Sequence, residues 1–522
     1  MTQDLESLYD EVPYVSVPIQ PTRPENLRAV ATLHGLQAPS VSTARILELG
    51  CAMGGNLMPV AMRFPSAHCL GIDLSGNQIR DGQELVATCG GLPNLELRHA
   101  SITDIDRTWG VFDYIIAHGV YSWVPDEVRD AIMRVCRENL APNGVAMLSF
   151  NAYPGWKARE FVRDAMIFAA KDETQSDQRL AKGREMVSLL ESLAEDNTAI
   201  TAAVSSTREQ LKGNAAYLQH EFMEPFNQPL YLTQFVDQAR EQGLEYLGDA
   251  DMPTMFVENY PEPMLKALDE FKPTTAVAAQ QFLDFPVVRN FRMGLVTHAD
   301  AIAGLTGRVG TMQGRYFYGA FENEFDEQGN PLPDVFKDQF GLQYRAENPL
   351  FLMVAEILTR VAPATLSFAQ VCQAILQRVH ATPAQVQDAV DGILRMMVMR
   401  GSVISPDEPN LVAPQVDEKP LVHPFERARI RLQMEQQPNK PRYDAWTLTH
   451  LNVELDPFGA WLAHHCDGNT GITALAMAAE QAVRQGLPIV PAYAGTPTLA
   501  QFAQNIPRAL ETLRTRGILM RQ

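Results

Sequence analysis

Cysteine is scarce in this chain, and nothing about its placement suggests pairing. Cys51, Cys69, Cys89, Cys136, Cys372 and Cys466 are scattered through 522 residues without paired spacing. That suits reduced core thiols better than a disulfide framework or a zinc site, so no metal centre is expected. Long apolar runs are missing too. None approaches the length needed to span a bilayer, and no early segment has the basic start and apolar core of a signal peptide. Cytoplasmic residence, with no membrane partner, is the expectation. Basic residues are in deficit: 43 Lys and Arg stand against 62 Asp and Glu, a net charge of −19. A general nucleic-acid binder needs a basic face, so that class is disfavoured and no nucleic acid is expected as partner. The acidity suits a cationic partner, or plain solubility. Hydrophobic residues make up 46% of the chain, enough for real cores, and the length allows two to four domains.

The most informative stretch runs from Arg45 to Asp73. Ile46, Leu47 and Leu49 form a short apolar run of strand type, and Gly50, Gly54 and Gly55 follow at once. Leu57 to Phe64 then has helical spacing, and His68 to Ile72 reads as a second strand ending at Asp73. Strand, glycine-rich turn and helix make a nucleotide-binding crossover, because a Cβ would block backbone from approaching a ligand. A carboxylate at the second strand tip can accept hydrogen bonds from both ribose hydroxyls of an adenosine. The spacing is Glu48-x-Gly50-x-Ala52-x-Gly54, which differs from the Gly-x-Gly-x-x-Gly of dinucleotide folds.

The alternation continues. Ser75 can cap a helix to about Thr88, Leu95 to His99 reads as a third strand, and Phe112 to Ala117 as a fourth. That strand runs into His118-Gly119-Val120-Tyr121-Ser122-Trp123. Pro125 and Asp126 open a helix, and a fifth strand ends in Asn151-Ala152-Tyr153-Pro154-Gly155-Trp156. Regular strand–helix alternation implies an α/β fold: a parallel, doubly wound, Rossmann-like sheet with ligands at the strand carboxyl ends. Residues 157–217 read as a helical insertion over the active-site face. A helix from Thr233 to Gln242 and strands at Leu244–Leu247 and Thr254–Val257 read as a closing hairpin, so the core is expected to span 1–260. Prolines at 13, 18, 21 and 24 precede a first helix, and Tyr9 and Tyr14 are placed to fold over the cofactor mouth. A middle region (261–345) is followed by a mostly α, winged-helix-like module at 346–405. A linker at 405–421 carries Pro406, Pro409, Pro414 and Pro420, and a second such module spans 422–522.

Glu48-x-Gly50-x-Ala52-x-Gly54 resembles motif I of the class I S-adenosyl-L-methionine (AdoMet) methyltransferases, with Ala52 where that family usually has its middle glycine. YDEVPY, ELGC-x-x-GGN, FDYIIAHGVYSWVP, PGW, the His220-Glu221 segment and NFR together resemble one bacterial family that pairs this core with a methyltransferase regulatory domain. Its members include protein lysine methyltransferases that modify outer-membrane proteins. The resemblance implies AdoMet as cofactor and S-adenosyl-L-homocysteine (AdoHcy) as product. It implies that Glu48, Gly50, Cys51, Ala52, Gly54, Asn56, Asp73, Leu74, Ile102, Asp104 and His118 hold the cofactor, with Asp106 as a second choice for the adenine amine. Tyr121, Trp123, Tyr153 and Trp156 are expected to border the methyl group and hold a cationic amine, unless they are core packing. His118, or the His220-Glu221 pair, is expected to accept a proton or orient the amine, unless His220 is a satisfied structural histidine, the slightly favoured reading of it. A protein acceptor is the first reading. A small-molecule or lipid-linked acceptor, and a non-catalytic AdoMet-binding regulator, stand beside it. Oligomeric state is left open, a homodimer included.

Overall fold

A computed structural model of the chain describes residues 14–194, 197–213, 215–303, 305, 310–326, 328–346, 348–406, 408–490 and 497–522. Its centre is a seven-stranded sheet: β1 Arg45–Leu49, β2 His68–Asp73, β3 Leu95–His99, β4 Phe112–Ala117, β5 Leu140–Asn151, β6 Leu244–Asp249 and β7 Phe291–His298. The order across the sheet is β3-β2-β1-β4-β5-β7-β6. The first five strands are parallel, and β7 runs antiparallel between β5 and β6. Helices α1 Pro24–Leu33, α2 Met58–Arg63, α3 Gly76–Thr88 and α4 Asp126–Asn139 flank it. Ile46, Leu47 and Leu49 on β1 and Tyr114 to Ala117 on β4 are fully buried, as parallel strands covered on both faces require.

The expected hairpin is half right. Leu244–Leu247 does join the sheet, but its partner is not Thr254–Val257. Met252–Met255 and Val257–Asn259 are single 3-10 turns instead. The slot is taken by β7, whose Gly294 packs under Phe235; a Cβ there would lie 2.6 Å from that ring. The sheet therefore ends near residue 298, beyond the expected boundary at 260, and takes its last strand from the stretch read as a middle region. Arg292 explains why the NFR string sits there. Its guanidinium is buried, reaching Asp284 at 2.7 Å and 3.0 Å and Asp249 at 3.1 Å. Arg289 adds a third bond to Asp284 at 3.0 Å.

The helical insertion is present: α5 Trp156–Ala169, α6 Ser176–Leu193, α7 Thr198–Leu211 and α8 Ala215–Phe222, then α9 Leu232–Glu241 back at the sheet. Val162, Met166, Leu180, Leu218 and Phe222 form its own small core. After β7 come α10 Pro349–Val361, α11 Phe368–Leu376 and α12 Pro383–Met399, then α13 Pro424–Gln436, α14 Pro457–His465, α15 Ile472–Arg484 and α16 Leu499–Thr515. The C-terminal part is not tethered loosely. Phe351, Val354, Leu394, Met397 and Trp446 share one continuous core with Ile46, Leu57 and Val60 of the sheet domain. The proline-rich linker is itself docked, with Ala413 N donating to Leu519 O at 2.9 Å and Met520 N to Leu421 O at 2.8 Å. Among the described residues no helix is long and apolar enough to cross a membrane.

Removing one partner from the buried Arg292 cluster strands a charge. Asp284→Ala or Arg292→Ala is expected to lower unfolding free energy by about 3–5 kcal/mol in denaturant titration, whereas Arg360→Ala, whose exposed pair with Glu356 is solvated, is expected to cost under about 1 kcal/mol.

Candidate active site

The carboxyl ends of β1, β2, β3 and β4 open into a cavity of about 250 Å³. Its floor is the turn after β1. Gly50 and Gly54 have φ of +73° and +83°, and a Cβ on Gly50 would lie 2.5 Å from Val120 Cγ2. Ala52 takes the same left-handed conformation at φ +50°, which costs an L-residue about 1–2 kcal/mol. Its N–H is held in compensation: it donates to Asp73 Oδ2 at 2.7 Å, and Ser75 N donates to Oδ1 at 2.9 Å. Asp73 therefore ties the β1 turn to the β2 tip and faces the cavity. The N-terminal arm closes one side. Gly55 N donates to Ser16 Oγ at 2.8 Å, and Tyr14, Val17 and Ile19 line the wall. Tyr9 lies outside the described residues.

The cavity gathers Glu48, Gly50, Cys51, Ala52, Asn56, Asp73, Leu74, Ile102, His118, Trp123 and His220 from the expected set. The others lie elsewhere. Gly54 is under the turn, where its missing Cβ makes room for Leu97. Asp104 is spent on its own turn, accepting from Ser101 N at 3.2 Å, and Asp106 caps Thr108. Neither carboxylate reaches the cavity, so the adenine reading of Asp104 is corrected: the wall there is Ala100, Ser101 and Ile102. Tyr121 is core; it is 2% exposed, meets Phe235 edge-on, and donates to Gln238 Oε1 at 2.8 Å. Trp156 is fully buried behind Trp123, ring centres 5.9 Å apart. Tyr153 sits outside, donating to Glu160 at 2.5 Å under the ammonium of Lys157. Of four expected aromatic walls, one reaches the cavity: Tyr121 and Trp123 lie in the turns beyond β4, and Tyr153 and Trp156 in the turn and helix start beyond β5, where no strand periodicity sets side-chain direction.

The His220-Glu221 pair is also corrected. Neighbours on a helix point to different sides, and α8 ends at Phe222. His220 Nδ1 donates to Glu224 Oε1 in the loop just beyond it at 2.7 Å, both side chains 3% exposed, while Glu221 turns toward Arg159 at 4.0 Å. Tyr14 covers this pair, its ring 4.5 Å from that of His220. Gln78, Glu127 and Glu224 line the cavity too, and none of them stands in a motif that the sequence marks.

Four cavity-lining side chains carry a buried polar atom with no partner: Glu48 Oε2, Gln78 Oε1, His118 Nδ1 and Glu224 Oε2. The amide oxygen of Gln78 and the two carboxylates when ionised accept only, so the fitting ligand is rich in donors, as an amino-acid ammonium and ribose hydroxyls are. Burial, aided by the charge of Asp73 and opposed by the Asn56 hydrogen bond, pushes the Glu48 carboxyl up to about 8. Burial pushes the His118 imidazolium down to about 4, so that ring is neutral at physiological pH.

Fold and cavity together define a class I AdoMet-dependent methyltransferase, with AdoMet the cofactor of that class. A methyltransferase-domain family profile matches residues 47–146, and that of the family described as "Predicted methyltransferase regulatory domain" matches 214–298. The uncharacterized protein RP028 of Rickettsia prowazekii is 35% identical over 243 residues, 46% of this chain and 96% of that one. RP789 of the same organism is 42% identical over 297 residues, 56% of this chain and 53% of RP789, so the chain spans about half the length of that relative. The structure of PKMT2 from Rickettsia typhi in complex with AdoHcy superposes with a TM-score of 0.80 at 23% identity, covering 97% of this chain and all of that one, and shares its fold. The chain belongs to the class I methyltransferases that carry this regulatory domain.

Residues present fit the cofactor: a glycine turn, a strand-tip carboxylate and an orphaned acid beside it. A cationic ammonium favours ionised Glu48, whereas the ligand-free site holds it mostly protonated below about pH 8. AdoHcy affinity is therefore expected to rise with pH, at most about tenfold per unit, and to level off above pH 8; calorimetry from pH 6 to 8.5 checks it, and Glu48→Gln should flatten the profile. Asp73→Ala, which frees Ala52 and Ser75, is expected to weaken AdoHcy by about 1.5–3 kcal/mol.

Proposed function

We propose that this chain transfers a methyl group from AdoMet to the side-chain amine of a protein lysine. The observation that carries the reading is the wall opposite the glycine turn: Glu224 Oε2 and His118 Nδ1 lack partners, Trp123 and Tyr14 stand beside them, and no lysine or arginine lines the cavity among the described residues. A carboxylate acceptor would face Glu48, Asp73, Glu127 and Glu224 without one cation, which disfavours small organic acids. PKMT2 from Rickettsia typhi was solved in complex with AdoHcy, in line with the same cofactor here. An exposed apolar strip, Phe285, Val287, Val288 and Phe291, adjoins the site, and the Phe291 ring lies 5.8 Å from that of His118. Such a strip at a cavity mouth suits a polypeptide better than a metabolite.

AdoMet, when bound, supplies an electrophilic methyl carbon on its sulfonium and leaves as AdoHcy. The chain's task is to present the amine as free base. Lysine ordinarily holds its proton to about pH 10.4; leaving water for a wall of Val120 and Trp123 disfavours the charged form. His118, held near 4 by burial, is too weak a base to keep that proton, but its neutral ring can accept a hydrogen bond and aim the lone pair. Glu224, oriented by His220, is the group placed to take the proton, and the indole face of Trp123 stabilises the methylated ammonium.

Incubation with methyl-labelled AdoMet and cell lysate is expected to place label on lysine in protein; label confined to small molecules sinks the reading. Glu224→Gln is expected to lower transfer by about 10²-fold or more, and Trp123→Ala by about tenfold, each with AdoHcy affinity changed less than about threefold, since both act on the acceptor.

A further inference from the structure

The strands β8 Tyr443–Trp446 and β9 Asn452–Leu455 form an antiparallel hairpin in the C-terminal region, and its tip carries a strained residue. His450 has φ +66° and is fully buried, a conformation kept only where surrounding contacts over-determine it. Its ring lies against the cofactor turn 394 residues earlier in the chain, with Nε2 2.7 Å from Asn56 Oδ1. Arg63 Nη1 approaches Nδ1 at 3.2 Å. An arginine can only donate, so Nδ1 accepts and the proton sits on Nε2. Ile19 N also donates to Asn56 Oδ1, at 3.0 Å, which independently fixes which end of the amide is oxygen. Asn56 Nδ2 then points the other way and donates to Glu48 Oε1 at 2.8 Å. Glu48 Oε2 is left without a partner in the cavity.

We infer that His450 is a positioning residue for the cofactor site: by donating to Asn56 it holds the amide that holds Glu48, so docking of the C-terminal hairpin sets AdoMet affinity. Binding and hairpin docking are then reciprocally linked. The C-terminal region thereby acts on the cofactor without touching it. Arg63, paired with Glu25 at 2.8 Å, anchors the other face of the imidazole. The inference rests on the cofactor site and is independent of the acceptor's identity.

The test uses the full chain and AdoHcy as probe. His450→Ala should weaken AdoHcy about tenfold and move the pH midpoint of its affinity upward, because Glu48 loses an aligned donor. His450→Gln offers an amide N–H to Asn56 and an oxygen to Arg63, and should bind within about threefold of the parent. Folded His450→Ala that binds like the parent, or His450→Gln as weak as the alanine variant, overturns the inference, the second outcome marking His450 as packing only. Should His450→Ala not fold, hydrogen exchange on the unaltered chain decides: AdoHcy should slow exchange at residues 447–451, and no change there overturns it. Failure of AdoHcy to bind the parent would instead refute the cofactor site itself.

Discussion

Glu48 is a fully buried carboxyl with no ion-pair partner among the described residues, and much of the molecule converges on keeping it in place. Burying such a group is costly unless it is hydrogen-bonded or protonated. A single amide, Asn56, meets one oxygen, and that amide is held in turn by Ile19 from the N-terminal arm, Thr22 at the head of the first helix and His450 from the C-terminal hairpin. The N-terminal segment and the C-terminal hairpin thus share one donor–acceptor arrangement, and the Ile19 N–H and His450 fix which end of the Asn56 amide is oxygen. The other oxygen is left for a ligand. A site poised this way exchanges an unfavourable burial for an ion pair when a cation arrives, and the binding free energy is concentrated at one atom.

The acceptor side follows a different rule. The turns after β4 contribute His118 and Trp123 to the cavity, Glu224 comes from the loop just past α8, and Tyr14 of the arm covers His220. Cofactor and acceptor walls are therefore built by separate parts of the chain. The first is a feature of the doubly wound sheet, where ligands sit beyond the strand carboxyl ends. The second is specific to what has been inserted between β5 and β6.

Local chemistry made much of this legible in advance. Apolar runs bounded by glycine or Ser-capped helices mark β1 to β5, and their order alone implies the parallel sheet. Glu48, Gly50, Ala52 and Asp73 were readable because backbone crowding and the left-handed turn restrict what can stand there. Where the reading failed, the reason is geometric. Tyr121, Trp123, Tyr153 and Trp156 all follow strand ends, but they stand in turns and at a helix start, where side-chain direction is set by tertiary packing, and only Trp123 reaches the cavity. Asp104 follows the third strand as a cofactor ligand would, yet its carboxylate closes a turn on Ser101 N, the local bond such residues favour.

Sequence by itself determined the class: the strand–glycine–helix unit, the strand-tip acid and the alternation are short-range patterns, enforced by sterics and hydrogen bonding within a few residues. Tertiary structure alone decided that β7 rather than Thr254–Val257 closes the sheet, that His220 works with Glu224, and that His450 meets Asn56. These pairings depend on which surfaces meet after the chain has folded back on itself. Contacts across 394 residues leave no periodicity for a reader of one sequence to find.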